Sequence, residues 1–168
     1  MHEQSVELLN RAVADELSAV HQYMYFHFHC DDQGYDLLAG LFRRTAIEEM
    51  LHIEQLAERI LFIKGEVKLT AASPVREITD VAGMLACARQ MEEGSARDYN
   101  VWANECSVNA DAMSKKLFEG LVADEERHFD QYDTEMENME RFGDQYLALQ
   151  SIERSRSRSA AAAPSESA

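Results

Sequence analysis

The stretch AIEEMLHIEQ, residues 46–55, decides the fold. Glu49 and His52 stand three residues apart, one helical turn, on a stripe that otherwise carries Leu38, Phe42, Thr45, Leu56 and Ile60. A helix that aims an acid and an imidazole at its own core needs a reason, because a buried, unpaired carboxylate costs several kcal/mol. The same spacing returns in VADEERHFDQ, residues 122–131, as Glu125 and His128. No other Glu-x-x-His occurs in the chain.

Working outward, four long segments repeat this pattern. Helices are expected over about residues 3–31, 35–64, 78–107 and 111–142. Each is close to 45 Å long at about 1.5 Å per residue. DDQGYD and SVNAD are short turns, so the first two and the last two helices should form antiparallel hairpins. Asn109 is a candidate left-handed terminator and Asp111 a candidate N-cap. Between the hairpins, KGEVKLTAASPVREITD has no clear period and is long enough to run the length of a bundle. The expected fold is therefore all-α: a ferritin-like four-helix bundle with one long crossover. Gly143 should stop the fourth helix, and Asp144 should cap a short fifth segment, QYLALQSIER. One domain is expected over 1–153. The remainder, 154–168, with its SRSRSAAAAPSESA composition, reads as a low-complexity, disordered tail.

The inward stripes share one layout. The first helix gives Leu9, Ala12, Val13, Glu16, Val20 and Tyr23; the third gives Val81, Leu85, Ala88, Glu92, Ala96 and Tyr99. The fourth gives Phe118, Leu121, Glu125, His128, Tyr132 and Met136. Every stripe is apolar or aromatic at its ends and acidic in the middle. Four carboxylates at one depth repel one another unless something positive sits between them. Four carboxylates and two imidazoles match the donor set of a two-iron site in a helix bundle. Spacing strengthens this reading. Glu16 to Glu49 and Glu92 to Glu125 are both 33 residues, and one offset of 76 carries Glu16, Glu49 and His52 onto Glu92, Glu125 and His128. Tyr23 maps onto Tyr99 by the same offset. A single Glu-x-x-His is ordinarily a surface pair; two, each preceded by a matched Glu at equal distance, are not.

Composition bounds the remaining choices. Among 168 residues there are 31 acids and 16 Lys plus Arg, a formal net charge of −15, which disfavours nucleic acid or an anionic membrane as partner and suits a protein that handles cations. No run of 18 apolar residues exists to span a membrane. The start, MHEQSVELLN, has no basic region followed by an apolar run. Cys30, Cys87 and Cys106, an odd number without metal-type spacing, suit reduced thiols in a cytoplasm.

NRAVADELSAVHQY, IEEMLHIEQLAERILFIKG and DEERH resemble bacterioferritin, over about residues 5–153. The resemblance implies a hollow homo-oligomeric shell, usually of 24 subunits, that oxidises Fe(II) with O2 or H2O2 and stores Fe(III) mineral inside. It implies that Glu16 and Glu92 are terminal ligands, that Glu49 and Glu125 bridge two irons per subunit, and that His52 and His128 bind one iron each. Tyr23 matches the family's tyrosine beside the site. Met50, about 100° around its helix from Glu49, matches the methionine that ligates a haem shared between two subunits. A ferredoxin or another electron donor is the implied partner. Two departures stand out: Arg44 replaces an internal-surface histidine, beside the acid Glu48, and Leu51 replaces a lysine found in some members. His27, His29 and Cys30 cluster near the end of the first helix and read as a solvated helix end. Two other readings compete. One is a Dps-like dodecameric miniferritin for oxidative-stress protection. The other is a rubrerythrin-like diiron peroxidase, though the Cys-x-x-Cys iron domain of rubrerythrins has no counterpart in this sequence.

Overall fold

The computed structural model describes residues 2–162. Five helices follow in order: α1 Glu3–Asp32, α2 Asp36–Phe62, α3 Val81–Val108, α4 Ala112–Phe142 and α5 Asp144–Ala162. There are no strands among the described residues. α1 packs chiefly on α2 and α3 on α4, giving the two expected antiparallel hairpins. The helix ends fall within three residues of those read from the sequence.

The crossover, residues 63–80, runs along α1 and is tied to it throughout. Asn10 binds both sides of it, donating from Nδ2 to Glu66 O at 2.9 Å and accepting from Lys68 N at 2.8 Å. Ala72 N donates to Ala14 O, Arg76 N to Gln22 Oε1 at 2.8 Å, and Gln33 Nε2 to Thr79 O at 3.1 Å. The link thus returns the chain to the far end of the bundle, so α3 runs parallel to α2. Gly65 is required where the crossover leaves α2, since a Cβ there would lie 2.7 Å from the Val6 methyls.

Local signals set the helix ends. Asp80 caps α3 by accepting from Gly83 N at 2.7 Å, and Asp111 caps α4 by accepting from Ser114 N at 3.1 Å. Asn109 is not the left-handed terminator expected of it. Its φ is −85°, and Ala110 takes the left-handed turn with φ 55°. At Gly143, φ is 52° and α4 ends.

α5 is longer than the sequence suggested. The domain boundary at 153 and the disordered tail expected from 154 do not describe residues 154–162, which continue the helix. Nothing in this Ser, Arg and Ala run breaks a helix before Pro164. Arg154 also anchors it, donating to Asp36 Oδ1 at 2.7 Å and Asp31 O at 2.7 Å. The rest of that tail, 163–168, lies outside the described residues.

The core is split in two. One half gathers Tyr23, Phe26, Leu38, Phe42, Leu85 and Tyr132; the other gathers Leu9, Val13, Leu56, Ile60, Trp102 and Phe118. The polar positions of the four stripes lie between these apolar halves.

Candidate metal centre

All six predicted donors meet in that middle layer. Glu16, Glu49, His52, Glu92, Glu125 and His128 are each no more than 3% exposed. One from each of α1 and α3, and a Glu–His pair from each of α2 and α4, face inward because one helical turn separates the members of each pair.

They form two overlapping groups. Glu16, Glu49, His52 and Glu125 can offer donor atoms all within 4.8 Å of one another, and so can Glu49, Glu92, Glu125 and His128. Glu49 and Glu125 belong to both. His52 Nδ1 lies 2.8 Å from Glu49 Oε2, 3.3 Å from Glu125 Oε1 and 3.4 Å from Glu16 Oε1. His128 Nδ1 lies 3.2 Å from Glu49 Oε1 and 3.5 Å from Glu92 Oε2. These approaches lack hydrogen-bond alignment. Both Glu49 oxygens, Glu92 Oε2, Glu125 Oε1 and both Nδ1 atoms are buried without a hydrogen-bond partner. Buried polar atoms are normally paired. A cluster of orphaned oxygens and imidazole nitrogens converging on two shared points fits a pair of divalent metal ions.

The outer contacts orient these donors. Each imidazole turns Nδ1 inward and Nε2 outward to a carboxylate on the opposite helix: His52 to Asp124 Oδ2 at 3.2 Å, and His128 to Glu48 Oε2 at 2.8 Å. The tyrosines cross over as well. Tyr99 donates to Glu16 Oε1 at 2.7 Å, and Tyr23 donates to Glu92 Oε1. Neither Glu48 nor Asp124 lies on an inward stripe, so helical period alone does not bring them to the site. The signal that finds them is the 76-residue offset, which also relates Glu48 to Asp124. Met50 lies elsewhere, 45% exposed on the outward side of α2 between the exposed Ile47 and Leu51.

Electrostatics reflect the crowding. Burial, reinforced by the charge of Glu49, pushes Glu16 and Glu92 above the usual carboxylate range. Burial with three neighbouring carboxylates does the same to Glu125. Burial also acts to raise Glu49, but its contacts with His128 and His52 prevail and hold it at about 2. Burial opposes charge on both imidazoles, yet the surrounding carboxylates raise His52 far above its ordinary value and His128 to about 11. Without metal, the layer balances its charge with protons.

Comparison with known proteins extends this geometry. The Ferritin-like domain family matches residues 6–142. A bacterioferritin of Desulfovibrio desulfuricans is 33% identical over 143 residues, covering 85% of this chain and 80% of that protein. One from Brucella melitensis is 35% identical over 140 residues, covering 83% of this chain and 87% of the other. The chain belongs to the bacterioferritin family. Solved bacterioferritins share its fold. The D. desulfuricans structure, which displays a diiron site in different catalytic states, superposes with a TM-score of 0.86 at 32% identity, covering 88% of this chain and 86% of that one. The Rhodobacter capsulatus bacterioferritin, solved with a metal-free dinuclear site and a haem iron in a crystallographic special position, gives 0.86 at 31% identity, covering 100% and 99%.

Proposed function

We propose that this bacterioferritin-family chain oxidises Fe(II) at the buried six-residue layer and stores the resulting Fe(III) as mineral inside a homo-oligomeric shell. The observation that carries this reading is the pair of four-donor groups sharing Glu49 and Glu125. In it Glu49 and Glu125 bridge two irons, Glu16 and Glu92 are terminal ligands, and His52 and His128 each bind one iron through Nδ1. Tyr23 and Tyr99 hold the terminal carboxylates in place.

Fe(II) is the substrate. Two Fe(II) ions give up one electron each; O2 with two protons then leaves as H2O2, or H2O2 with two protons leaves as two waters. The carboxylate-rich set favours the ferric product, because charge accumulates where anionic oxygens already lie. The protons carried by the layer without metal must leave as iron enters.

Met50 supports haem binding. Its thioether lies on an apolar, exposed stretch of α2 with Ile47 and Leu51, and a second copy of the chain would supply the matching thioether. Haem bound there would supply a one-electron relay, with a ferredoxin or similar donor as its source. A 24-subunit shell is the assembly the family favours; twelve subunits is the competing one. Three cysteines, all free and buried, suit a cytoplasmic setting.

Glu49→Ala and Glu125→Ala test the site. Each variant should assemble normally and lose rapid Fe(II) oxidation, followed by absorbance after anaerobic loading and mixing with O2 or H2O2. Oxidation at the wild-type rate in either variant would overturn the assignment.

A further inference from the structure

Arg127 sits on α4 immediately before His128 and has no counterpart in the first half of the chain. The 76-residue offset places Leu51 at the matching position. Its guanidinium reaches across the outside of the six-residue layer. Nη2 lies 2.6 Å from Glu48 Oε2 on α2 and 3.0 Å from Asp124 Oδ1 on its own helix.

Those two carboxylates are the ones that hold the histidines. Glu48 Oε2 also takes His128 Nε2 at 2.8 Å, and Asp124 Oδ2 takes His52 Nε2 at 3.2 Å. One guanidinium therefore closes a continuous path from His128 through Glu48, Arg127 and Asp124 to His52. The imidazole rings it joins lie 6.1 Å apart and nearly parallel, with 28° between planes. The rings are buried, at 3% and 0% side-chain exposure, while Arg127, Glu48 and Asp124 are 45%, 38% and 41% exposed. The clasp is thus the outermost layer on this side of the centre.

We propose that Arg127 is a positioning residue that locks both histidines in their metal-facing orientation and retards escape of ions from the centre on this side. The inference rests on the two-metal reading of the layer. Its logic is mechanical and electrostatic. A histidine can swing outward only by dragging its carboxylate, and neither carboxylate moves without breaking a contact to Arg127. Removing the guanidinium leaves two outward carboxylates that repel each other and no longer hold a fixed place. A leucine, as at position 51, cannot replace it. A lysine offers a compact charge without the planar fork and should restore the lock only in part.

Anaerobic Co(II) serves as the probe, because it loads without oxidation and reports its ligands by visible absorption. The wild-type shell should take up two Co(II) per chain and release them slowly to excess chelator. Arg127→Leu should keep the stoichiometry and the helical content but release Co(II) about tenfold faster or more, the usual range for loss of an outer-sphere partner. Arg127→Lys should fall between. High salt should speed release more from the wild type than from Arg127→Leu, since only the wild type has an exposed clasp to screen; a general loss of packing would not produce that difference. Arg127→Gln gives the same test should the leucine variant fail to assemble. Equal release rates in the wild type and the assembled variant overturn the proposal. A wild type that binds no Co(II) at two per chain instead overturns the two-metal reading beneath it.

Discussion

At the scale of single residues, the proposed centre makes its two histidines couple metal to protons. The folded protein raises both imidazoles above their ordinary 6.5, His128 to about 11, against the opposing effect of burial. In the metal-free protein their favourable pairing is therefore fully present below pH 6.5 and is lost as pH rises through that folded value. Ions that bind Nδ1 must displace the same protons. Zn(II) added to metal-free protein near pH 7 in dilute buffer should release about one proton per imidazole, and apparent affinity should climb with pH. Absence of acidification on binding would place the histidines outside the ligand set. Met50 makes a separate claim. Purified protein should show haem absorption at no more than one haem per two chains, and Met50→Leu should abolish it. Haem content unchanged by that substitution would exclude paired thioether ligation.

At the scale of elements, most of the architecture was legible because helical period and ligand chemistry mark the same positions. Glu49 and His52 fall on a stripe with Phe42 and Leu56, so the residues that specify the helix also specify which face is inward. The crossover was legible by its lack of period. What escaped depends on register between helices or on backbone geometry. Arg127 clasps Glu48 only because α2 and α4 pass antiparallel at one height, which no local pattern encodes. The turn before α4 escaped in another way: Asn109 is the better left-handed residue, yet Ala110 takes the positive φ. Ala110→Gly should therefore stabilise the protein by roughly 1 kcal/mol, since glycine has no Cβ to crowd there. Asp111, next in the chain, does more. It caps α4 and pairs with Arg59 at 2.5 Å, and although burial acts to raise it, the contacts with Ser114, Ser5 and Arg59 hold its carboxyl at about 2. Its folded value lies below its ordinary 3.8, so its contribution is present above that pH and is lost as pH falls toward 2. Asp111→Ala should cost roughly 2–4 kcal/mol at neutral pH by removing the cap and stranding Arg59. Denaturant unfolding of both variants checks the two signs; equal stability for Asp111→Ala would mean that the cap and ion pair contribute nothing.

At the scale of the whole molecule, one chain holds a complete six-donor layer but cannot enclose a mineral. Large apolar side chains remain on its surface, among them Phe62 at 74%, Leu69 at 68% and Val108 at 86% exposure, and these suit burial between copies of the chain. No helix among the described residues is long and apolar enough to cross a membrane. The net charge of −15 per chain would repel neighbouring copies at long range. It would also draw Fe(II) toward an enclosed space and favour deposition of a cationic ferric product. Storage and simple turnover then part at the level of stoichiometry. The buried layer has donors for two metal ions per chain, so any iron held beyond that must lie in a cavity formed by assembly. Aerobic Fe(II) added in small portions should co-elute with protein on gel filtration at far more than two irons per chain, in a particle whose light-scattering mass fits 24 copies rather than 12. The retained iron should leave only on reduction. Uptake that stops at two irons per chain, with further additions precipitating, would make the protein a diiron oxidase without a store.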